Sequence, residues 1–173
     1  MEMQMSIVNM MHKRFVIIIA FMTLIGCTTK LAPSYDKNVV EQLSQLNVDT
    51  MVLMATISDG TSGDTFESRV DNYNNLIGRL DALALSAGAR PVPESNIYSS
   101  ISESLKKRGI ANIPFDATKP ASVYPITKIS ETITIIRNTD KKQGITQYEA
   151  DTFKNQVQIY FDQAITYENF LQR

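Results

Sequence analysis

The chain has 173 residues, enough for one domain with a real core once an N-terminal segment is set aside, and no internal linker argues for a second. Its 17 basic and 18 acidic residues leave a net charge of −1, which offers no field to attract nucleic acid. The single His and single Cys are His12 and Cys27, so a domain that begins after residue 27 has neither disulfides nor an imidazole.

The first element is an address. His12, Lys13 and Arg14 precede an apolar run from Phe15 to Ile25 in which Thr23 is the one polar residue. That run is far shorter than the roughly 20 residues a membrane-spanning helix needs, and it reads as the apolar region of a signal peptide. Leu24-Ile25-Gly26-Cys27 at its end resembles the lipobox of bacterial lipoproteins. The resemblance implies cleavage after Gly26, a diacylglycerol on the Cys27 sulfur, and acylation of the new amino group with a fatty acid such as palmitate. Cys27 is therefore the expected lipid-attachment residue. The expected division is a signal peptide over 1–26, a lipidated tether over 27–35 and a helical domain over 36–173. Loss of Lys13, Arg14 and Glu2 leaves a mature charge of about −2. Several acyl chains make such an anchor effectively permanent, whereas one alone would be marginal. Thr28, rather than Asp, follows the modified Cys, and in a Gram-negative cell that implies the periplasmic face of the outer membrane.

Five helical segments follow in chain order. The first, from about 36 to 58, carries Val39, Leu43, Leu46, Thr50, Leu53 and Ile57 at alternating spacings of four and three, with Asp59-Gly60 closing it. The second opens at a candidate capping box, Asp64-Thr65-Phe66-Glu67, and places Phe66, Val70, Tyr73, Ile77, Leu80 and Ala84 on one face before Gly88 and Pro91. A third, from about 93 to 108, aligns Ile97, Ile101 and Leu105, and ends in Lys106, Lys107 and Arg108, cations suited to a helix C-terminus. The following loop holds Ile110, Ile113 and Phe115, apolar enough to fold back on the core. From about 122 to 138, Ile126, Ile129, Ile133 and Ile136 fit a helix, although the Ile and Thr content suits a strand; no second strand-like segment exists to pair with it. The last helix opens at a second candidate capping box, Thr146-Gln147-Tyr148-Glu149, and continues through Phe153, Val157, Tyr160, Ala164, Tyr167 and Leu171. Matching seams on the long helices predict an all-α fold, an antiparallel bundle of four to five helices.

The residues constrain chemistry mainly by what they omit. Without His or Cys after position 27, soft-metal ligation and the usual activation of a Ser nucleophile lack their parts, so no catalytic residue, metal site or cofactor is expected. Ser34 with Lys37 and Ser104 with Lys107 match the Ser-x-x-Lys spacing of penicillin-binding enzymes, without the companion motifs. Ser34 is better read as a helix cap and Ser104 as a surface residue. Carboxylates remain the available catalytic groups, but Asp71, Asp81, Glu131 and Asp162 fall off the apolar seams, where solvated charge is expected. Phe153, Tyr160 and Tyr167 form an aromatic column suited to core packing or to lining a groove.

The layout of lipobox, short tether with Tyr35-Asp36, and helices interrupted by Ala89-Arg90-Pro91 is similar to small helical envelope lipoproteins. It implies a membrane partner through the lipid anchor and an envelope protein, peptidoglycan or a secreted factor as the contact of a non-enzymatic binding or structural module. An inhibitory lipoprotein of a mobile element, acting in immunity or exclusion, is a second reading. A carboxylate-dependent enzyme of cell-wall glycans is a third.

Overall fold

The computed structural model describes residues 32–92 and 118–172. Helix α1, Lys37–Thr56, begins where Asp36 adopts an extended backbone and its carboxylate accepts the Asn38 N–H at 2.9 Å. Asp36, and not the exposed Ser34, is thus the cap, because only a side chain directly before the first helical residue reaches the orphan N–H groups. The predicted seam is the buried one, Val39, Leu43, Leu46, Thr50, Leu53 and Ile57, joined by Met54.

Thr50 stands out in that seam. Its side chain is fully buried, and its hydroxyl has no hydrogen-bond partner among the described residues. An unsatisfied buried hydroxyl carries its whole desolvation cost. Thr50→Val keeps the shape and removes the orphan, so it should stabilise the fold by about 1–2 kcal/mol. The measurement is the urea midpoint at constant slope; a midpoint that falls would mean the hydroxyl is engaged after all.

The second helix departs from expectation at its start. Gly63–Ser68 forms a 3-10 helix capped by Ser62, whose hydroxyl accepts the Asp64 N–H, and α2 proper runs Val70–Gly88. The Asp64 capping box is therefore not formed. The tighter turn lets Phe66 lie buried beside Tyr73, with ring centroids 6.2 Å apart, and sets Arg69 at the junction facing inward. The buried face of α2 is Tyr73, Leu76, Leu80, Leu83 and Ala87, whereas Val70, Ile77 and Ala84 are half-buried at its edge. Because α2 packs on both α1 and α3, its apolar face is broader than one seam and its centre is rotated from the predicted line.

The Ile- and Thr-rich segment is helical: α3 spans Val123–Gln143, five residues beyond its expected end. Ile126, Ile129, Ile133 and Ile136 are all fully buried, each contributing about 1.5–3 kcal/mol of apolar burial. Its threonines are reconciled with a helix locally, since the hydroxyls of Thr127, Thr132 and Thr139 donate to the carbonyls four residues back. Pro125 is tolerated in the first turn, where its missing N–H has no helical partner to lose. Lys141 and Lys142 occupy the last turn, favourable to the helix dipole, and Gly144 ends the helix at φ 81°.

Helix α4, Gln147–Phe170, starts at the predicted capping box. The Thr146 hydroxyl accepts the Glu149 N–H at 3.2 Å and the Glu149 carboxylate accepts the Thr146 N–H at 2.8 Å. That backbone bond, with the Thr146 hydroxyl, holds the Glu149 carboxyl below its ordinary range. The buried face, however, is Ala150, Val157, Phe161, Ala164 and Glu168. Phe153, Tyr160 and Tyr167, the expected core column, are half-buried along its flank. Phe161, which has no hydroxyl to satisfy, takes the dry centre of this face instead.

Hydrogen bonds fix the topology. The Thr61 N–H donates to Ile145 O at 2.7 Å, which joins the α1–α2 connection to the α3–α4 turn at one end, here the loop end. At the opposite end, here the far end, Arg90 after α2 meets Ser122 before α3 and Glu168 in the last turn of α4. The helices therefore alternate in direction, an all-α antiparallel bundle, with α2 against α3, α3 against α4, and α1 against both α2 and α4. The segment predicted as a helix over 93–108 and the apolar loop residues Ile110, Ile113 and Phe115 lie outside the described residues.

Candidate functional site

Among the described residues each end of the bundle contains one buried carboxylate, and neither is one of the acids singled out in the sequence. At the loop end Asp140 has no exposed surface. Arg69 donates to it through Nε at 2.8 Å and Nη2 at 2.9 Å, the Thr61 hydroxyl at 2.5 Å and the Tyr73 hydroxyl at 3.1 Å. The remaining guanidinium hydrogens go to Thr65 Oγ1 and Ser62 O. Thr61 Oγ1 in turn accepts the Ile145 N–H at 2.8 Å. Burial pushes the Asp140 carboxyl up, yet the bonds from Arg69, Thr61 and Tyr73 together outweigh it and hold the group below its ordinary range. The same burial, reinforced by the Asp140 charge, raises the Tyr73 phenol, and the bond to Asp140 raises Arg69 against its own desolvation.

At the far end Glu168, also fully buried, takes both terminal nitrogens of Arg90, one at 2.8 Å, and the Ser122 hydroxyl. Arg90 Nε donates further to Ala87 O at 3.2 Å, tying the pair to the last turn of α2.

These clusters hold structure and offer little chemistry. A glycoside-cleaving pair needs two carboxyls within about 5–10 Å across a cleft. Asp140 and Glu168 stand at opposite ends of helices about 30 Å long, and their oxygens are occupied by Arg and hydroxyl donors. The acids singled out in the sequence are elsewhere: Asp71, Asp81, Glu131 and Asp162 are all exposed. Of these, Asp81 accepts the Ser130 hydroxyl at 2.6 Å and Glu131 pairs with Lys128 at 2.6 Å. Lys37 is paired with Glu41 at 3.2 Å, so the Ser34 and Lys37 spacing does not build a nucleophile and base. Among the described residues no group of three His, Cys, Asp or Glu side chains is placed to hold a metal ion. Cys27, Ser104 and the Lys106 to Arg108 triplet lie outside the described residues.

The grooves among the described residues are shallow. Between α1 and α2 a recess of about 230 Å³ is bridged by Arg79 and Asp49 at 2.6 Å, and that bond holds the Asp49 carboxyl below its ordinary range. Between α2 and α3, near the far end, a recess of about 570 Å³ is lined by Asp81, Ala84, Leu85, Gly88, Lys119 and Thr127. Its size suits a small ligand, but its polar groups do not converge: Asp81 already takes Ser130, and the Thr127 hydroxyl donates to Val123 O. The two buried acids did leave a signal in the sequence. Asp140 continues the Ile129, Ile133, Ile136 spacing by one more step of four, and Glu168 continues Val157, Phe161, Ala164 in the same way. No protein-family model, curated protein or solved structure matches the chain.

Proposed function

We propose that the chain is a membrane-anchored envelope lipoprotein whose helical bundle works by contact, as a non-enzymatic binding or structural module at the periplasmic face of the outer membrane. The observation that carries this reading is the sequence Leu24-Ile25-Gly26-Cys27 directly after a basic cluster and a short apolar run. No helix among the described residues is long and apolar enough to cross a membrane, so attachment in this reading rests on the Cys27 lipid alone. Action by contact is supported by residues 28–173 having no His or Cys, and by both buried acids being committed to arginine pairs.

The test is Cys27→Ala. The wild-type protein should fractionate with membranes and carry acyl groups on an N-terminal Cys27, whereas the variant should lose the acyl mass entirely and remain as an uncleaved or mislocalised precursor. Mass spectrometry showing the same unmodified N-terminus in both would overturn the reading.

A further inference from the structure

We propose that the recess between α1 and α2 binds a carboxylate borne on a small apolar group, with Arg79 as its two-pronged partner and Val52 against the hydrocarbon. The proposal goes beyond the reading above and does not depend on the lipid anchor.

Arg79 is held from one side. Its Nη1 donates to Asp49 Oδ2 at 2.6 Å and to Asn75 Oδ1 at 3.3 Å, and Asp49 Oδ1 in turn accepts the Gln45 amide at 2.9 Å. Gln45 and Asp49 come from α1 and Asn75 from α2, so both helices that wall the recess fix the guanidinium. Its other edge, Nε with Nη2, has no acceptor among the described residues. Such an edge presents two parallel N–H groups that match the two oxygens of a carboxylate. The Asn72 side chain lines the same recess and has no partner among the described residues either, so a further donor stands near the guanidinium. The rest of the lining is hydrocarbon: Leu53 and Leu76 are buried beneath it, and Val52 at the rim is 61% exposed. At about 230 Å³ the recess is smaller than sites for drug-sized ligands, so its occupant is small. Asp49 selects the class of anion. The Arg79 bond keeps it ionised, and its charge offsets that of the guanidinium. A singly charged carboxylate gains two charge-assisted bonds at the open edge, whereas the second charge of phosphate would face Asp49 with nothing to pair it.

The test is an NMR titration of full-length, isotope-labelled protein in detergent with N-acetyl-alanyl-alanine, its C-terminal amide, acetate and inorganic phosphate. The Arg79 Nε–H signal and the Asn72 and Asn75 side-chain amides should move saturably with the dipeptide acid and stay still with its amide. Arg79→Lys keeps the charge and loses the fork, and should weaken binding of the acid by about tenfold, the worth of one charge-assisted bond. Arg79 and Val52 are both exposed, so substitution at either leaves the core intact. Two sources of the carboxylate separate in the same experiment. Tighter binding of the dipeptide than of acetate, with the difference removed by Val52→Ser, assigns the recess to a peptide chain end; equal binding assigns it to a free small acid. Absence of a saturable shift, an equal response to acid and amide, tighter binding of phosphate, or Arg79→Lys without effect would each overturn the proposal. The acyl mass on Cys27, read from the same sample, keeps the anchor a separate question.

Discussion

Arg69→Ala should destabilise the protein by about 3–5 kcal/mol at neutral pH, because it strands a buried carboxylate whose charge nothing else neutralises. Asp140 would retain only the Thr61 and Tyr73 hydroxyls as donors. The pH dependence separates this cause from lost packing. In the wild type the Asp140 carboxyl is held below its ordinary value of 3.8, so its contribution is fully present above that value and disappears as pH falls from there through the lower folded value. In Arg69→Ala the balance reverses: burial pushes the carboxyl up, and the variant gains relative stability by binding a proton before its unfolded chain does. The stability gap between the two proteins should therefore be widest near pH 7 and narrow as the pH is lowered through the carboxylate range. Urea unfolding at pH 7 and pH 4 measures it; an equal gap at both would assign the loss to the guanidinium's packing and not to the stranded charge.

Gly144→Ala should be nearly as damaging, at about 2–6 kcal/mol, from two additive sources. Gly144 has φ 81° and ψ 175°, a region open essentially to glycine alone. A Cβ there would also stand 2.2 Å from the carbonyl oxygen of Thr61 and 2.9 Å from its carbonyl carbon, both backbone atoms that cannot rotate aside. Relief requires the α1–α2 connection to move off the α3–α4 turn, which would break the Thr61 N–H bond to Ile145 O and disturb the Asp140 cluster behind it. Gly78 supplies the control. A Cβ at that position meets nothing within 4 Å, so Gly78→Ala, in the middle of exposed α2 surface, should be neutral or stabilising by up to about 1 kcal/mol. Thermal unfolding of the pair gives the answer directly, and a Gly144→Ala midpoint equal to wild type would mean that the turn is not held as described.

Helices α1 to α4 and the α1 and α3 seams were legible because apolar spacing reports a face whenever one neighbour dominates it, and α3 shows that this outweighs β-branched propensity: four isoleucines on one side decided against a strand. The seams of α2 and α4 were read a fraction of a turn off for the opposite reason. Alanine and half-buried tyrosine both fit an apolar pattern, and only the neighbouring helices determine that Ala87 and Phe161 go in while Tyr160 and Tyr167 stay at the edge. The Asp64 capping box does not form because Ser62, two residues earlier, caps a tighter turn. The buried acids escape any reading in which polarity alone marks the surface. Their partners, Arg69 and Arg90, are distant in sequence by 71 and 78 residues, and no local rule joins them.

Those two arginines bracket α2, one immediately before it and one just after, and they reach different helices at opposite ends. Seams of Leu, Ile and Ala are tolerant surfaces, and a slide of one turn, about 5.4 Å, would find nearly as much apolar area to cover. Such a slide would pull Arg69 from Asp140 and Arg90 from Glu168 at once, and a tilt that restored one contact would widen the other. Like two dowels through a plate, the pairs remove both translation and rotation from α2, so a core built of interchangeable hydrocarbon acquires a single alignment.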